Sequence, residues 1–178
     1  MYKIDFNDTE AALTLNRVVD SLSDLTPFLQ EVGEFMVFST KTRFGQGTAP
    51  DGTPWAPKSQ TTLDAYAARG DRIDTRPLFG PSGMLSSTIF YSADATGVEW
   101  GSSRIYAAVM QFGAEQGEFG ARMGRTKATD KRPRSQDYMF FVPWGDIPAR
   151  PYLGVSASDS EALVEMGGEY LGGLAQPR

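Results

Sequence analysis

The chain has 178 residues and a formal net charge of −5, and it contains no cysteine and no histidine. This length predicts one domain that can bury a hydrophobic core without disulfides or a structural metal. The composition excludes disulfides, thiolate nucleophiles, metal sites built from cysteine or histidine, and every catalytic triad that depends on histidine.

Charge is distributed unevenly along the chain. The first forty residues and the last twenty are acidic, whereas the centre is basic. Two interpretations are open: solvated faces of two acidic helices, or a polarity that orients the protein between unlike partners. The negative total argues against a generally cationic nucleic-acid binder, so any contact with nucleic acid has to be local.

The N-terminal sequence MYKIDFND has one basic residue and lacks the apolar core of a signal peptide. No stretch of the chain approaches the ~18 uncharged apolar residues of a membrane-spanning helix. We therefore expect a soluble protein that stays in the cytoplasm where it is made and that has no membrane partner.

The first part of the chain predicts two amphipathic helices. The first follows a polar start at residues 7–10, and its apolar positions have helical spacing: Leu15, Val18, Val19 and Leu22. The second begins at Thr26 and Pro27, because proline is tolerated at the first helical position, and runs to about Phe44. Gly33 within it indicates either a close neighbour on that face or, more simply, tolerance of a glycine.

Residues 45–58 form a proline-braced loop, GQGTAPDGTPWAPK, with a tight turn at Asp51-Gly52. Trp55 lies in the middle of this loop. A large aromatic residue in such a loop is typical of an anchor in the core, and the alternative is an exposed anchor that recognises a partner. A short helix is expected over residues 61–69, ended by Gly70.

The second half of the chain predicts strands and two more helices. A hairpin is expected from residues 87–92 and 97–100, a helix over 106–112, and strands over 138–142 and 152–155. Ser158 and Glu161 have the spacing of a capping box that starts a closing helix. Residues 1–178 are thus expected to form a single α+β domain, in which a small, mostly antiparallel sheet packs with N-terminal and C-terminal helices and carries long loops.

A flexible basic loop is predicted at about 117–137, because apolar periodicity is missing there. Its positive residues are Arg122, Arg125, Lys127, Lys131, Arg132 and Arg134. They indicate either a solvated loop or a basic finger that becomes ordered against phosphates or against an acidic patch of a neighbouring subunit.

Motifs for catalysis are weak in this sequence. Gly80-Pro81-Ser82-Gly83 is similar to a nucleophile elbow but lacks its last glycine and a histidine base, and Gly120–Gly124 has the wrong spacing for a phosphate loop. Four carboxylates lie in predicted loops, without a spacing that is diagnostic of a cation site or a glycosidase: Asp71, Asp74, Glu115 and Glu118. We therefore expect no enzymatic activity, no metal and no cofactor.

Four segments, in their order along the chain, resemble the phage virion morphogenesis family. This family comprises the tail completion proteins of Mu-like and P2-like phages. They are Phe44–Thr62, Leu78–Leu85, Gly101–Gly113 and Ile147–Gly154. Their signature elements are Asp51-Gly52-x-Pro54-Trp55, Gly83-x-Leu85, Tyr106-Ala107 followed by Gln111-Phe112-Gly113, and Pro148-Ala149-Arg150-Pro151-Tyr152-Leu153-Gly154.

The resemblance implies a non-enzymatic structural protein of the virion neck, where the DNA-filled head meets the tail. Proteins of this kind are thought to assemble as rings, so the implied partners are copies of the chain itself and the adjoining head-tail connector and tail proteins. Non-specific contact with packaged DNA is a further option. The alternatives are a tail terminator, a transient assembly factor, or a DNA-binding module that acts through the basic loop.

The residues expected at a protein or DNA interface are the six basic-loop residues together with Arg150 and Trp55. Arg150, held between Ala149 and Pro151, is expected to pair with a carboxylate inside the fold or on a neighbour, and internal pairing is the simpler interpretation. Tyr106 and Phe112 are interpreted as core residues, with an interface role as the alternative.

Overall fold

A computed structural model of the chain describes residues 9–118, 121–125, 137–141 and 146–175, with side chains over residues 12–118 and 146–174. These residues form six helices and four strands. In chain order they are α1 (Thr9–Ser23), α2 (Thr26–Gln46), α3 (Gln60–Arg69), α4 (Met84–Ser87), β1 (Ile89–Ala93), β2 (Val98–Ser102), α5 (Ala107–Phe112), β3 (Ala121–Arg125), β4 (Asp137–Phe141) and α6 (Ala157–Ala175).

Helix α2 is the centre of the fold, because it contacts β1, β2, α4 and α6. Its start is set by the backbone amide of Thr26, which donates to the carboxylate of Asp24 at 3.0 Å, and by the proline in its first turn. Gly33 lies against the ring of Tyr91 on β1, where a Cβ atom would lie 2.6 Å from the ring Cγ. The close-neighbour interpretation of Gly33 is therefore correct, and the simpler one is wrong.

The core forms around Phe44 near the end of α2. Its ring lies 5.6 Å from that of Trp55 and 5.4 Å from that of Tyr152, measured between centroids. These three aromatic residues come from a helix, a loop and the segment before α6. The other buried members of this cluster are Ala49, Leu78, Leu85, Ile89 and Ala107.

The described strands pair as two separate antiparallel hairpins. Strand β1 pairs with β2, with Tyr91 opposite Trp100, and β3 pairs with β4, with Met123 opposite Met139. The α+β class with helices at both ends is confirmed, and the sheet is small and antiparallel, as expected.

Three expectations about individual elements are wrong. Residues 121–125, predicted as loop, form β3, because pairing with β4 satisfies their backbone groups without any apolar periodicity. Residues 152–155, predicted as a strand, pair with no strand among the described residues, and a glutamine side chain bonds to part of their backbone instead. The capping box of α6 is formed by Ser156 and Asp159, two residues before the predicted pair.

The apolar stripe of α1 has the predicted spacing but not the predicted environment. Leu15 and Val19 are 65% and 63% exposed, Leu22 is also exposed, and Val18 alone of the four is half-buried. Helix α1 packs on α6 through another face, where the hydroxyl of Tyr170 donates to the carbonyl of Ser21 at 3.3 Å. Among the described helices, none combines the length and apolarity needed to cross a bilayer.

Candidate interaction surface

The proline-braced loop is fixed to the core by Trp55. The indole is 6% exposed, and its Nε1 donates to the carbonyl of Pro151 at 2.8 Å. The loop closes on itself through a backbone bond from Trp55 to Gly47 at 2.9 Å. This buried position favours the core interpretation of Trp55, since it leaves little of the ring to a partner.

Arg150 joins the same loop to the segment that precedes α6. Its guanidinium is buried and donates to the carbonyls of Ala56 at 2.7 Å and Pro57 at 2.9 Å. The pairing is therefore internal, but the acceptors are backbone carbonyls and not the expected carboxylate. Burial lowers the pKa of Arg150, because desolvation disfavours the charged form.

Gln111, near the end of α5, holds the segment after Arg150. Its Oε1 accepts from the amides of Tyr152 at 2.9 Å and Leu153 at 3.0 Å, and its Nε2 donates to the carbonyl of Leu153 at 3.1 Å. Gly113 follows with φ of +78°, and a Cβ there would lie 2.7 Å from the carbonyl oxygen of Ile147. These contacts explain why a glutamine and a glycine are needed near the end of α5.

A buried ion pair joins the end of α2 to the start of α6. Nη2 of Arg43 lies 2.6 Å from Oδ2 of Asp159, and Nη1 donates to the carbonyl of Tyr152 at 3.0 Å. Ser39 and the backbone amide of Ser156 donate to the same carboxylate, at 2.6 Å and 2.8 Å. Burial opposes ionisation of Asp159, but these hydrogen bonds and the charge of Arg43 outweigh it, so the pKa of Asp159 is lowered.

Sequence reasoning did not find this ion pair. The only signal is the Ser-x-x-Asp spacing of Ser156 and Asp159, which is typical of a capping box and gives no indication of Arg43. A cleft of about 420 Å³ lies beside the pair, with Phe38 and Pro50 among its lining residues. Because the guanidinium and the carboxylate already bond to each other and to their neighbours, neither is poised to bind a ligand.

Three of the four loop carboxylates have local partners, namely those of Asp71, Asp74 and Glu118. Asp71 pairs with Arg69 at 2.8 Å, and the amide of Glu115 donates to Glu118 at 2.9 Å. Nη2 of Arg76 lies 2.5 Å from Oδ2 of Asp74. The hydrogen bonds from Arg76 lower the pKa of Asp74 to about 2. In the part of the chain that the structure describes, no group of three or more acidic side chains is arranged to hold a metal ion.

Several large apolar side chains are exposed, and they lie on more than one element. Ile105, two residues before α5, and Phe112, the last residue of α5, are 97% and 78% exposed, and Tyr106 is exposed too. The core interpretation of Tyr106 and Phe112 is therefore wrong: Ala107 and not these rings fills the core from α5. Phe38 on α2 and Val164 and Leu171 on α6 are exposed as well.

The basic residues are only partly placed. Arg122 and Arg125 lie on β3, opposite Phe140 and Asp137 of β4. Lys127, Lys131, Arg132 and Arg134 lie outside the described residues. Among the described members of the predicted interface, Arg122 and Arg125 are thus on a strand, whereas Trp55 and Arg150 belong to the core.

Comparison with known proteins gives one match. The family model described as the phage virion morphogenesis family matches residues 6–172. No curated protein and no solved structure matches the chain. The matched range includes α2, the proline-braced loop and α5, and it reaches nearly to the end of α6.

Proposed function

Because this chain belongs to the phage virion morphogenesis family, we propose that it is a structural subunit of the neck, which forms a ring and joins the DNA-filled head to the tail. The membership itself supports a structural or assembly role in the phage particle. The observation that carries the proposal is the match over residues 6–172, which spans nearly the whole chain.

The exposed apolar residues support the ring. Each subunit of a closed ring meets its neighbours through two different surfaces, so a ring protein exposes apolar side chains on more than one element. Such residues are Phe112 on α5, Ile105 just before that helix, and Leu15 and Val19 on α1. Together they provide apolar area on two separate elements for contact with copies of the chain and with adjoining connector and tail proteins.

The internal bonding supports a subunit that keeps its shape on assembly. Trp55, Arg150 and Gln111 use hydrogen bonds to fix long loops to the core. Most of the loop carboxylates considered for catalysis bond to nearby groups of the same chain. We therefore propose a role in assembly and not in catalysis. A tail terminator or a transient assembly factor is the alternative within the same class.

The copy number in the particle tests this function. We would purify infectious particles and measure this protein by quantitative mass spectrometry, relative to the major capsid protein. A fixed small number, such as ~6 or ~12 copies, is expected for one symmetric ring. Hundreds of copies would indicate a tube or capsid protein, and absence from the particle would indicate an assembly factor; either result would overturn the neck proposal.

The alternatives need a position as well as a number. A tail terminator is also a ring of few copies, so particles with the protein labelled should be imaged by electron microscopy. Density at the junction of head and tail is expected. Density on tails that have never joined a head would instead favour the terminator.

A further inference from the structure

The β1–β2 sheet has two strands, so each strand has one edge without a strand partner among the described residues. The amide of Asp94 donates to the carbonyl of Gly97 at 3.0 Å, and this bond fixes the alternation of the ladder. In an antiparallel pair, every second residue points its N–H and C=O groups away from the partner strand. By the observed register, these residues include Tyr91 and Ala93 on β1 and Val98 and Trp100 on β2.

The outward backbone groups of these four residues form no hydrogen bond to another described residue. None of the four residues is buried. Among the described helices and strands, only α2 makes extensive contact with the hairpin that β1 and β2 form. Both edges of this hairpin therefore have hydrogen-bonding groups with which a further strand can pair.

Helix α2 covers one face of the hairpin and holds it on the core. Tyr91 of β1 lies against Gly33 of α2 on that face. Ser92 of β1 and Glu99 of β2, which are opposite each other in the register, are exposed on the other face. The two open edges thus belong to an element that the rest of the fold already keeps in place.

Charge favours a second copy of the chain as the partner, with β2 beside β1. Strand β1 has no charged residue, and β2 has one carboxylate, that of Glu99. Two paired β2 edges would bring Glu99 of both copies onto adjacent strands, where like charges repel. Strand β1 instead offers the hydroxyl of Ser92, which can donate a hydrogen bond to a carboxylate.

We propose that the β2 edge of one copy pairs with the β1 edge of the next copy, so that the hairpins form one continuous antiparallel sheet. This proposal rests on the proposed function, because it names the contact between subunits of the ring. Rotation about an axis that runs along the strands preserves their directions, so β1 and β2 alternate around the ring. The two edges differ, and the contact is therefore head-to-tail, as closure of a ring requires.

The same rotation keeps each residue at its height along the strands. Ser92 of one copy then lies opposite Glu99 of the next copy, as the two residues do within one copy. Across the new edge they form a non-hydrogen-bonded pair, with Cα atoms about 4.5 Å apart, a separation that a disulfide can span. Because the chain has no cysteine, introduced cysteines report this contact alone.

Two single variants, Ser92→Cys and Glu99→Cys, test the arrangement in particles. Both would be produced together in cells infected by a phage that lacks this protein, and purified particles would be oxidised with copper phenanthroline. Mass spectrometry of the dimer band is expected to show a disulfide between position 92 of one copy and position 99 of another. The matched control combines Ser160→Cys with Glu115→Cys, at exposed positions outside the hairpin, and is expected to give no such dimer.

Disulfides between two copies of the same variant would indicate pairing of like edges and would overturn the proposal. A ring-like copy number without a disulfide between positions 92 and 99 would also overturn the sheet contact, but it would leave the neck function standing. Absence of the protein from particles would overturn both.

Ala93→Pro and Ala95→Pro form a matched pair for a second measurement. The N–H of Ala93 points to the outer edge, so proline removes a donor to the next copy but no bond to β2. Ala95 is the first residue of the turn between the strands and its φ is not positive, so proline is tolerated there. Circular dichroism would check that both variants fold.

Sedimentation velocity of the whole chain would give the Kd of self-association. Ala93→Pro is expected to raise this Kd about tenfold, and Ala95→Pro to leave it within about threefold. Equal association of the two folded variants would count against the edge contact. If Ala93→Pro lowers the titre of infectious particles while no disulfide joins two copies, the edge binds another protein and the proposal is wrong.

Discussion

Single residues at the junction of α2 and α6 determine how the helices are held together. Arg43 and Asp159 are both buried and form an ion pair at 2.6 Å. A buried pair adds little stability relative to apolar residues, but removal of one partner leaves a buried charge alone. The consequence is that each of the two residues is expected to be sensitive to substitution.

Asp159→Asn is expected to lower the free energy of unfolding by about 3 kcal/mol at neutral pH, because Arg43 keeps its charge without a carboxylate. Urea unfolding measures the difference. Asp71→Asn is the control, since the Arg69–Asp71 pair is largely exposed and is worth at most about 1 kcal/mol. A loss as small as that of the control would contradict the role assigned to Asp159.

The effect of Asp159→Asn should depend on pH. The pKa of Asp159 is lowered below its ordinary value of 3.8 in the folded protein, so the carboxylate stabilises the fold above that pH. This stabilisation is lost as the pH falls below 3.8 and through the lowered pKa. The difference between the two proteins should therefore be constant near neutral pH and shrink in acid.

A glycine pair in α2 offers a second test at this scale. Gly33→Ala is expected to destabilise the protein by about 1–3 kcal/mol, because the new methyl group overlaps the ring of Tyr91. Gly45→Ala, in the same helix, meets nothing within 4 Å and should stabilise the protein by about 0.5–1 kcal/mol. Thermal or urea unfolding of both variants gives the comparison, and equal signs would contradict the close contact.

At the scale of elements, a side chain takes the place of a strand partner. Gln111 bonds to the backbone of Tyr152 and Leu153 and so fixes the segment before α6 to α5. Arg150 and Trp55 fix the proline-braced loop to the same segment. The three side chains thus join α5 to two parts of the chain that contain no regular secondary structure.

Gln111→Met is expected to destabilise the protein by about 2 kcal/mol, because two backbone amides lose their acceptor. Amide hydrogen exchange should show the effect locally, with faster exchange at Tyr152 and Leu153 than in β1. Gln116→Met is the control, since Gln116 is exposed and its side chain forms no hydrogen bond in the described part of the structure. Unchanged exchange at Tyr152 would argue against the tether.

At the scale of the whole molecule, the apolar residues that do not reach the core are the ones that we propose for contact with partners. Leu15 and Val19 are more than half exposed, while Phe44 and Tyr152 are almost fully buried. Exposed apolar side chains contribute little to the free energy of folding. They stabilise a complex only when a partner covers them. Stability and assembly should therefore respond to different substitutions.

Leu15→Ser combined with Val19→Ser should change the free energy of unfolding by less than about 1 kcal/mol. The same substitutions should weaken self-association and lower the number of copies in purified particles. Tyr152→Ser is the contrasting variant, because it removes a core ring and should unfold the protein. Normal assembly of the Leu15 and Val19 variant would exclude this face from the assembly contact.

The sequence by itself determined most element positions and the family. Proline at the start of α2, glycine after α3 and α5, and the turn between β1 and β2 act through local backbone preferences, which need no distant contact. Tertiary structure decided what each face meets. Apolar spacing shows that Leu15 and Val19 share a face of α1, but only packing shows that this face is exposed. Likewise, only the folded chain brings Arg43 into contact with Asp159, because the two residues are 116 positions apart in the sequence.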